Sequence, residues 1–135
     1  MAGNQSLVRD VIVGSPLGSL LGVRLVSCEA DRVQVRLPFR HEVTTIGDVV
    51  HGGAISGLVD TAATAAAWSG ADTAEQARGT TIGFTVSFLA AGRGQDLVAT
   101  ARVIQRGRTI CVVEVDVEGA DGARVARALV TYKLG

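Results

Sequence analysis

Apolar and polar residues alternate with a period of two in two parts of the chain, and the segment between them lacks this alternation. The first part covers residues 21–39, on both sides of the turn-like Glu29-Ala30-Asp31. The second contains four alternating runs, at residues 81–88, 97–103, 111–118 and 126–132. Successive side chains of a strand point to opposite faces, so these runs predict a hairpin followed by an antiparallel meander.

The alternation also assigns side chains to the faces of the predicted strands. The apolar face of the first strand carries Leu21, Val23 and Leu25. In the run at 81–88, a period of two places three hydroxyl residues on one face, which is expected to be solvated or to form an interface. These residues are Thr81, Thr85 and Ser87. The opposite face carries Ile82, Phe84, Val86 and Phe88.

Between the two parts, residues 52–69 are rich in alanine, poor in β-branched residues and free of proline. Alanine has the highest helix propensity, so the segment predicts a helix that ends near Gly70, with this glycine in a left-handed conformation. Asp60 is the single charged residue in the segment. Nearly the whole circumference of the helix is therefore expected to be covered by other elements.

The remaining elements predict an α+β protein. Residues 1–20 form a short N-terminal helical segment, interrupted at Gly14-Ser15-Pro16. One apolar helix against one long antiparallel sheet is a common layer arrangement. A length of 135 residues suits a single domain over residues 1–135.

Composition narrows the possible partners and locations. The formal net charge is zero, which argues against nucleic acid as a partner. The apolar segment Ala54–Ala67 is too short to span a membrane and contains Asp60, and the N-terminus has no signal-peptide pattern, so a cytoplasmic protein is expected. Two histidines and two cysteines are scattered, so no metal or other cofactor is expected, and Cys28 and Cys111 are interpreted as buried residues.

Candidate chemistry is concentrated in the helix and its start. Gly52 and Gly53 allow backbone N–H groups at the positive end of the helix to approach a ligand, where they can stabilise an oxyanion. Asp60 places a carboxylate in apolar surroundings, which is costly unless the charge has a function or a hydrogen-bonded neighbour.

The spacing of these groups predicts a dimer. Gly52 and Asp60 are eight residues apart, which is about 12 Å along a helix. A donor and a carboxylate at that distance cannot act on the same carbonyl. Two antiparallel copies of the helix would bring the start of one to Asp60 of the other, so a homodimer with two shared active sites is expected.

The sequence His51-Gly52-Gly53, followed by an alanine-rich helix with Asp60 nine residues after the histidine, resembles the hotdog-fold thioesterases. The resemblance is strongest to the PaaI-like (phenylacetyl-CoA thioesterase-like) branch, and it extends from about residue 20 through Gly107-Arg108 to Tyr132. It implies a long antiparallel sheet wrapped around one central helix. It also implies hydrolysis of an aryl- or medium-chain acyl-CoA to the free acid and CoA.

The resemblance further implies a role for individual residues. The Gly52 N–H polarises the thioester carbonyl, His51 shapes the adjacent loop, and Asp60 is the nucleophile or the general base. Thr81 assists the water or the carboxylate. Relatives often carry asparagine six residues before the histidine, where this chain has Thr45, whose hydroxyl has a shorter reach than an amide. This departure bears on rate and substrate preference more than on the type of reaction.

CoA phosphates are expected at the protein surface, where arginine forks bind them well. The candidates are Arg93 and the turn Arg106-Gly107-Arg108, with Arg108 favoured because its hairpin matches the family. A solvated surface role is the alternative for each arginine. The resemblance places the acyl chain between helices of two subunits, and the dimers are expected to pair into a tetramer.

Several alternatives stay open at this point. His51 can be a simple helix cap, Gly57 a helix-packing residue, and Trp68 either a pocket wall or a core residue. A non-catalytic acyl-CoA-binding module on the same fold is the main alternative function, and Thr45 is its best support. A hotdog dehydratase or hydratase would need a histidine and an acidic residue in a different placement. The chain has no nucleophile elbow and no Walker phosphate loop.

Overall fold

A computed structural model describes residues 4–72 and 78–135. The N-terminal segment contains α1 (Gln5–Leu7), which continues as a π-helix (Val8–Val13), and then α2 (Pro16–Leu21). Ser15 caps α2 by accepting a hydrogen bond from the Gly18 N–H, and Gly22 ends the helix at a φ of 77°. Leu21 was expected in the first strand, but it is the last residue of α2, because the left-handed turn at Gly22 separates helix from strand.

Six strands form one antiparallel sheet in the order β1-β2-β4-β5-β6-β3. The hairpin β1–β2 turns at Asp31, which has a φ of 68°. Of the four strands expected in the meander, β4, β5 and β6 pair in sequence order, but the expectation was wrong for β3, which crosses to the far edge and, among the described residues, pairs with β6 rather than β4. The strands are β1 (Arg24–Glu29), β2 (Arg32–Leu37), β3 (Gly79–Phe88), β4 (Leu97–Arg106), β5 (Ile110–Gly119) and β6 (Arg124–Leu134).

The start of β3 departs from a period of two. Its register against β6 shifts between Thr81 and Gly83, so that Ile82 is the extra residue of a β-bulge. Directly opposed residues of antiparallel strands point to the same face. Thr81 lies opposite Tyr132, which is buried in the core. The bulge therefore turns the Thr81 side chain toward the side of the sheet that carries the central helix.

The predicted grouping of Thr81 with Thr85 and Ser87 is wrong for this reason. Thr85 lies opposite Leu129 and Ser87 opposite Arg127, on the outer face of the sheet. Period-two counting applies only while the ladder is regular, and a bulge reverses the faces on one side of it.

The central helix α3 (Gly52–Ser69) fills the concave side of the sheet, as the alanine-rich pattern predicted. Twelve of its residues are buried, and most of them are alanine or other small residues. It contacts strands from β2 to β6, so the core is a helix-on-sheet layer. These features confirm the α+β hotdog architecture.

The C-terminal end of α3 is fixed by Asp31 and Arg106. The Arg106 guanidinium donates to Asp31 Oδ1 at 2.7 Å and to the Ala67 carbonyl at 3.0 Å. The Asp31 N–H in turn donates to Ser69 Oγ at 2.9 Å. Arg106 therefore neutralises carbonyl groups that the helix leaves unpaired, at the end where a positive charge is favoured.

Gly70 follows α3 but is not left-handed as predicted, since its φ is −107°. A Cβ at this position would overlap Asp31 Oδ1 and lie 3.0 Å from the Arg106 guanidinium. The glycine is thus required by the space that the Asp31–Arg106 pair occupies rather than by its backbone conformation.

We expect Arg106→Lys to lower the free energy of unfolding by about 2 kcal/mol, because a lysine cannot bond Asp31 and the helix carbonyls together. Arg102→Lys on the same strand is the matched control. Arg102 is half-exposed and approaches Glu114 and Asp116 only to 3.8 and 3.6 Å, so its loss should cost under about 0.5 kcal/mol. Urea denaturation at equal protein concentration measures both. Equal losses for the two variants would contradict the capping role.

Candidate active site

His51 closes the N-terminal end of α3 as a helix cap. The imidazole Nδ1 accepts a hydrogen bond from the Gly53 N–H at 2.7 Å. The backbone N–H of His51 donates to the Val43 carbonyl at 2.8 Å. A Cβ on Gly53 would lie only 2.9 Å from Nδ1, so glycine is what allows the imidazole to approach the backbone. Of the two sequence-based interpretations of His51, the geometry favours the capping role.

The Gly52 N–H, one residue earlier, is free for another partner. Within the part of the chain that the structure describes, Gly52 donates no backbone hydrogen bond, as expected for the first residue of a helix. Gly52 borders a cleft of about 400 Å³, here called the Gly52 cleft, together with Thr45 and residues 88–92. A carbonyl oxygen in this cleft would meet an N–H group at the positive end of the helix.

Asp60 lies in the middle of α3 and is partly exposed. Its Oδ1 accepts a hydrogen bond from Thr81 Oγ1 at 2.7 Å. This distance is short, as is typical when a hydroxyl donates to a carboxylate. The bulge in β3 makes the contact possible, because it turns Thr81 toward α3. The structure therefore brings together two of the residues predicted from the sequence.

The two halves of the predicted site remain apart within one chain. Thr45 and Gly52 border the Gly52 cleft, while Asp60 does not. The helix rise between Gly52 and Asp60 is about 12 Å. One chain therefore presents an N–H donor at one place and a carboxylate at another, as the spacing in the sequence predicted.

Tyr132 and Trp68 form a buried pair behind Asp60. The Trp68 indole N–H donates to the Tyr132 hydroxyl at 3.0 Å. Burial raises the pKa of Tyr132, the hydrogen bond from Trp68 opposes this effect, and the charge of Asp60 adds to it. Trp68 is only 5% exposed and is a core residue, but it also lines a cleft at the C-terminal end of α3, so the structure is compatible with both of its predicted roles.

The four candidates for phosphate binding lie at opposite ends of α3. Arg93 lies beside the Gly52 cleft, where its Nη1 is 3.5 Å from Asp48 Oδ1 and both side chains are largely exposed. Gly107 and Arg108 border a second cleft of about 320 Å³ near Trp68, here called the Trp68 cleft. Arg106 also borders this cleft, but its guanidinium is hydrogen-bonded to Asp31 and to the Ala67 carbonyl at the C-terminal end of α3.

Arg78 was not among the residues predicted from the sequence, although it borders the Trp68 cleft. It precedes β3, and the pairing of β3 with β6 rather than β4 brings it close to the chain end near Leu134. Local sequence pattern carries no signal for this placement, because the pairing is set by the crossover of β3.

Both cysteines are buried, as predicted, and burial raises the pKa of each thiol. Residues 4–72 and 78–135 contain no cluster of three or more His, Cys, Asp or Glu residues that could hold a metal ion. Over the same residues, no helix has the length and apolar character needed to cross a membrane.

Comparison with known proteins identifies the family of the chain. The sequence profile of the thioesterase superfamily matches residues 47–126, which include the cap, Asp60 and Thr81. The medium/long-chain acyl-CoA thioesterase YigI of Escherichia coli is 26% identical to this chain over 89% of it and 86% of the relative.

Solved structures show the same architecture. A thioesterase family protein from Silicibacter pomeroyi is 28% identical and superimposes with a TM-score of 0.88 over 98% of each chain. The PaaI protein of Escherichia coli has a TM-score of 0.85 over 100% of this chain and 96% of its own, but at 20% identity this likeness concerns the fold alone. From the profile match over more than half of its length, we conclude that the chain belongs to the thioesterase superfamily and has the hotdog fold.

Proposed function

We propose that the protein is a PaaI-like thioesterase that hydrolyses an aryl- or medium-chain acyl-CoA thioester to the free acid and CoA. The observation that carries the proposal is the Asp60 carboxylate, held by Thr81 on an uncovered face of an otherwise apolar helix. The superfamily supplies the reaction type, and the acyl-CoA thioesterase named above supports CoA as the thiol. The proposed location is the cytoplasm.

In the proposed reaction the Gly52 N–H binds the thioester carbonyl and stabilises the oxyanion that forms on attack. Asp60 either deprotonates the attacking water or attacks the carbonyl itself, which would release CoA and leave an anhydride for water to hydrolyse. Thr81 orients the carboxylate in both cases. Label in Asp60 after a single turnover in oxygen-18 water identifies the nucleophilic route, because a general base takes up no oxygen from water.

The proposed active unit is a homodimer in which each site takes Gly52 from one copy and Asp60 from the other. Beyond the helix spacing, β3 supports this assembly, because it is an edge strand of ten residues. Its apolar side chains are exposed in the single chain: Ile82, Phe84 and Phe88. An exposed apolar edge strand is a template for pairing with another chain. Two such dimers are further proposed to associate into a tetramer.

The phosphates of CoA are proposed to bind Arg108 and Arg93. In an antiparallel pair of α3 helices, the Trp68 end of one copy lies roughly 12 Å beyond Gly52 of the other. Arg108 of one copy and Arg93 of the other then fall on the same side of the shared site. The separation of these arginines within one chain is therefore compatible with a common role.

Asp60→Asn should reduce turnover of every acyl-CoA substrate by about a thousandfold, because an amide is neither a base nor a nucleophile. The measurement is a panel of acetyl-, hexanoyl-, decanoyl- and phenylacetyl-CoA with a thiol reagent, run beside wild type. Thermal unfolding of the variant checks that the fold is retained. If wild type binds CoA but turns over no member of the panel, the protein is a non-catalytic acyl-CoA-binding module.

Thr81→Val should lower kcat about tenfold to a hundredfold, because a hydrogen bond to the Asp60 carboxylate is lost while side-chain volume is kept. Thr80→Val is the matched control, since Thr80 is the exposed neighbour and its hydroxyl has, among the described residues, only a 3.5 Å contact with the Thr81 carbonyl. Steady-state kinetics on the best substrate of the panel measures both variants. Equal effects at the two positions would argue against a role for the Thr81–Asp60 bond.

Mixing Asp60→Ala chains with Gly52→Pro chains should restore up to about a quarter of wild-type activity. Half of the dimers formed by random exchange are mixed, and each of these has one intact site in which both functional groups are present. Proline removes the N–H at the first helical position, where its backbone conformation is tolerated. The measurement is activity after joint refolding, with each variant refolded alone as the control. Absence of recovery, with mixed dimers present by mass spectrometry, would contradict the shared site.

A further inference from the structure

α2 crosses the central helix at Gly57. A Cβ on Gly57 would lie 2.9 Å from Leu21 Cδ1, so the leucine side chain rests directly on the glycine backbone. The sequence left open whether Gly57 serves helix packing, and the structure shows that it receives a side chain of the same chain. Leu21 itself is only partly buried against the core.

Asp60 follows Gly57 by three residues and thus lies on the same face of α3, one turn further along. Side chains of a helix tilt toward its N-terminus, which moves the Asp60 carboxylate toward the turn that contains Gly57. Leu21 is therefore the apolar side chain seated one turn from the carboxylate.

The uncovered stripe of α3 is made of small or polar residues: Gly53, Ser56, Gly57, Asp60 and Thr64. The stripe has no large apolar side chain that could form the wall of an acyl-binding groove. α2 provides such side chains, because Leu17 and Leu20 are 55% and 70% exposed and Leu21 lies over Gly57. The apolar surface near the carboxylate is thus supplied by α2 and by the α3-facing side of β3, which carries the exposed Phe84, rather than by α3 itself.

We infer that Leu21, seated on Gly57, limits the length of the acyl group that the site accepts, with α2 as the wall of the acyl groove. This inference rests on the proposed thioesterase function and concerns the same site. An acyl chain that runs from a carbonyl beside Asp60 toward the preceding turn of α3 meets Leu21 at Gly57. Leu21 is therefore a specificity-determining residue.

The test compares kcat/KM for decanoyl-CoA with kcat/KM for hexanoyl-CoA in wild type and in variants at this position. Leu21→Ala should raise this ratio about tenfold, because each additional buried methylene changes affinity about fourfold and the shortened wall admits more than one. Leu21→Phe should lower the ratio, since a larger side chain shortens the groove. The opposite signs keep the test decisive even if one variant folds poorly.

Leu129→Ala is the control, because it makes the same change in side chain at an exposed position on the outer face of the sheet, opposite Thr85. The ratio of kcat/KM for decanoyl-CoA to that for hexanoyl-CoA in this variant should equal the ratio in wild type. Active Leu21 variants with an unchanged ratio would overturn the inference and leave the thioesterase proposal intact. An unchanged ratio with weakened dimerisation would assign α2 to a contact between copies and also overturn it. Wild type inactive on the whole panel would overturn the thioesterase proposal, and the inference with it.

Discussion

The close packing of α3 in the concave side of the sheet is the constraint on which the rest of the structure depends. Small side chains let the helix approach strands β2 to β6 on most of its circumference, and burial of this apolar surface is the main source of stability for such a layer. The end of the helix is fixed by Arg106 and Asp31. Once the helix is held on these sides, one stripe is left uncovered, and Asp60 lies on it.

This arrangement explains why a costly charge can persist in an apolar helix. The Asp60 carboxylate is partly exposed and accepts a hydrogen bond from Thr81, so its desolvation is incomplete and partly compensated. The same exposure keeps the carboxylate accessible to a ligand. The start of the helix differs, because the Gly53 N–H donates a hydrogen bond to His51 whereas the Gly52 N–H stays available for another partner. One helix thus presents its two candidate functional groups in two separate environments.

Much of the fold was predictable from the sequence because its signals are local. The alanine-rich run predicted α3 with its observed bounds, and alternation predicted β2, β4, β5 and β6 with their buried faces. The pairing of Asp60 with Thr81 was also anticipated, through the family resemblance. The eight-residue spacing of Gly52 and Asp60 predicted that the two groups lie apart in one chain, and Asp60 does not border the Gly52 cleft; the shared site itself stays a prediction.

The features that the sequence could not reveal depend on contacts between distant parts of the chain. The crossover of β3 to β6 is set by how the sheet closes around α3, and it alone places Arg78 near Arg108. Arg106 resembled any surface arginine in a turn until the structure placed it at the helix carbonyls. The position of Gly70 after the alanine-rich run predicted a left-handed residue at the end of the helix. The structure shows instead that a side chain at this position would clash with Asp31.

The hydrogen bond between Thr81 and Asp60, which depends on the bulge at Ile82, also affects the folding of the edge strand β3. Without the bulge, strict alternation would direct Ile82 toward α3 and Thr81 to the outer face. An aliphatic side chain would then face the carboxylate, which would lose its partner. The register without the bulge is therefore destabilised by the unpaired charge of Asp60, the residue that is proposed to carry out the chemistry. Asp60 thus also favours the correct alignment of β3 with β6 during folding.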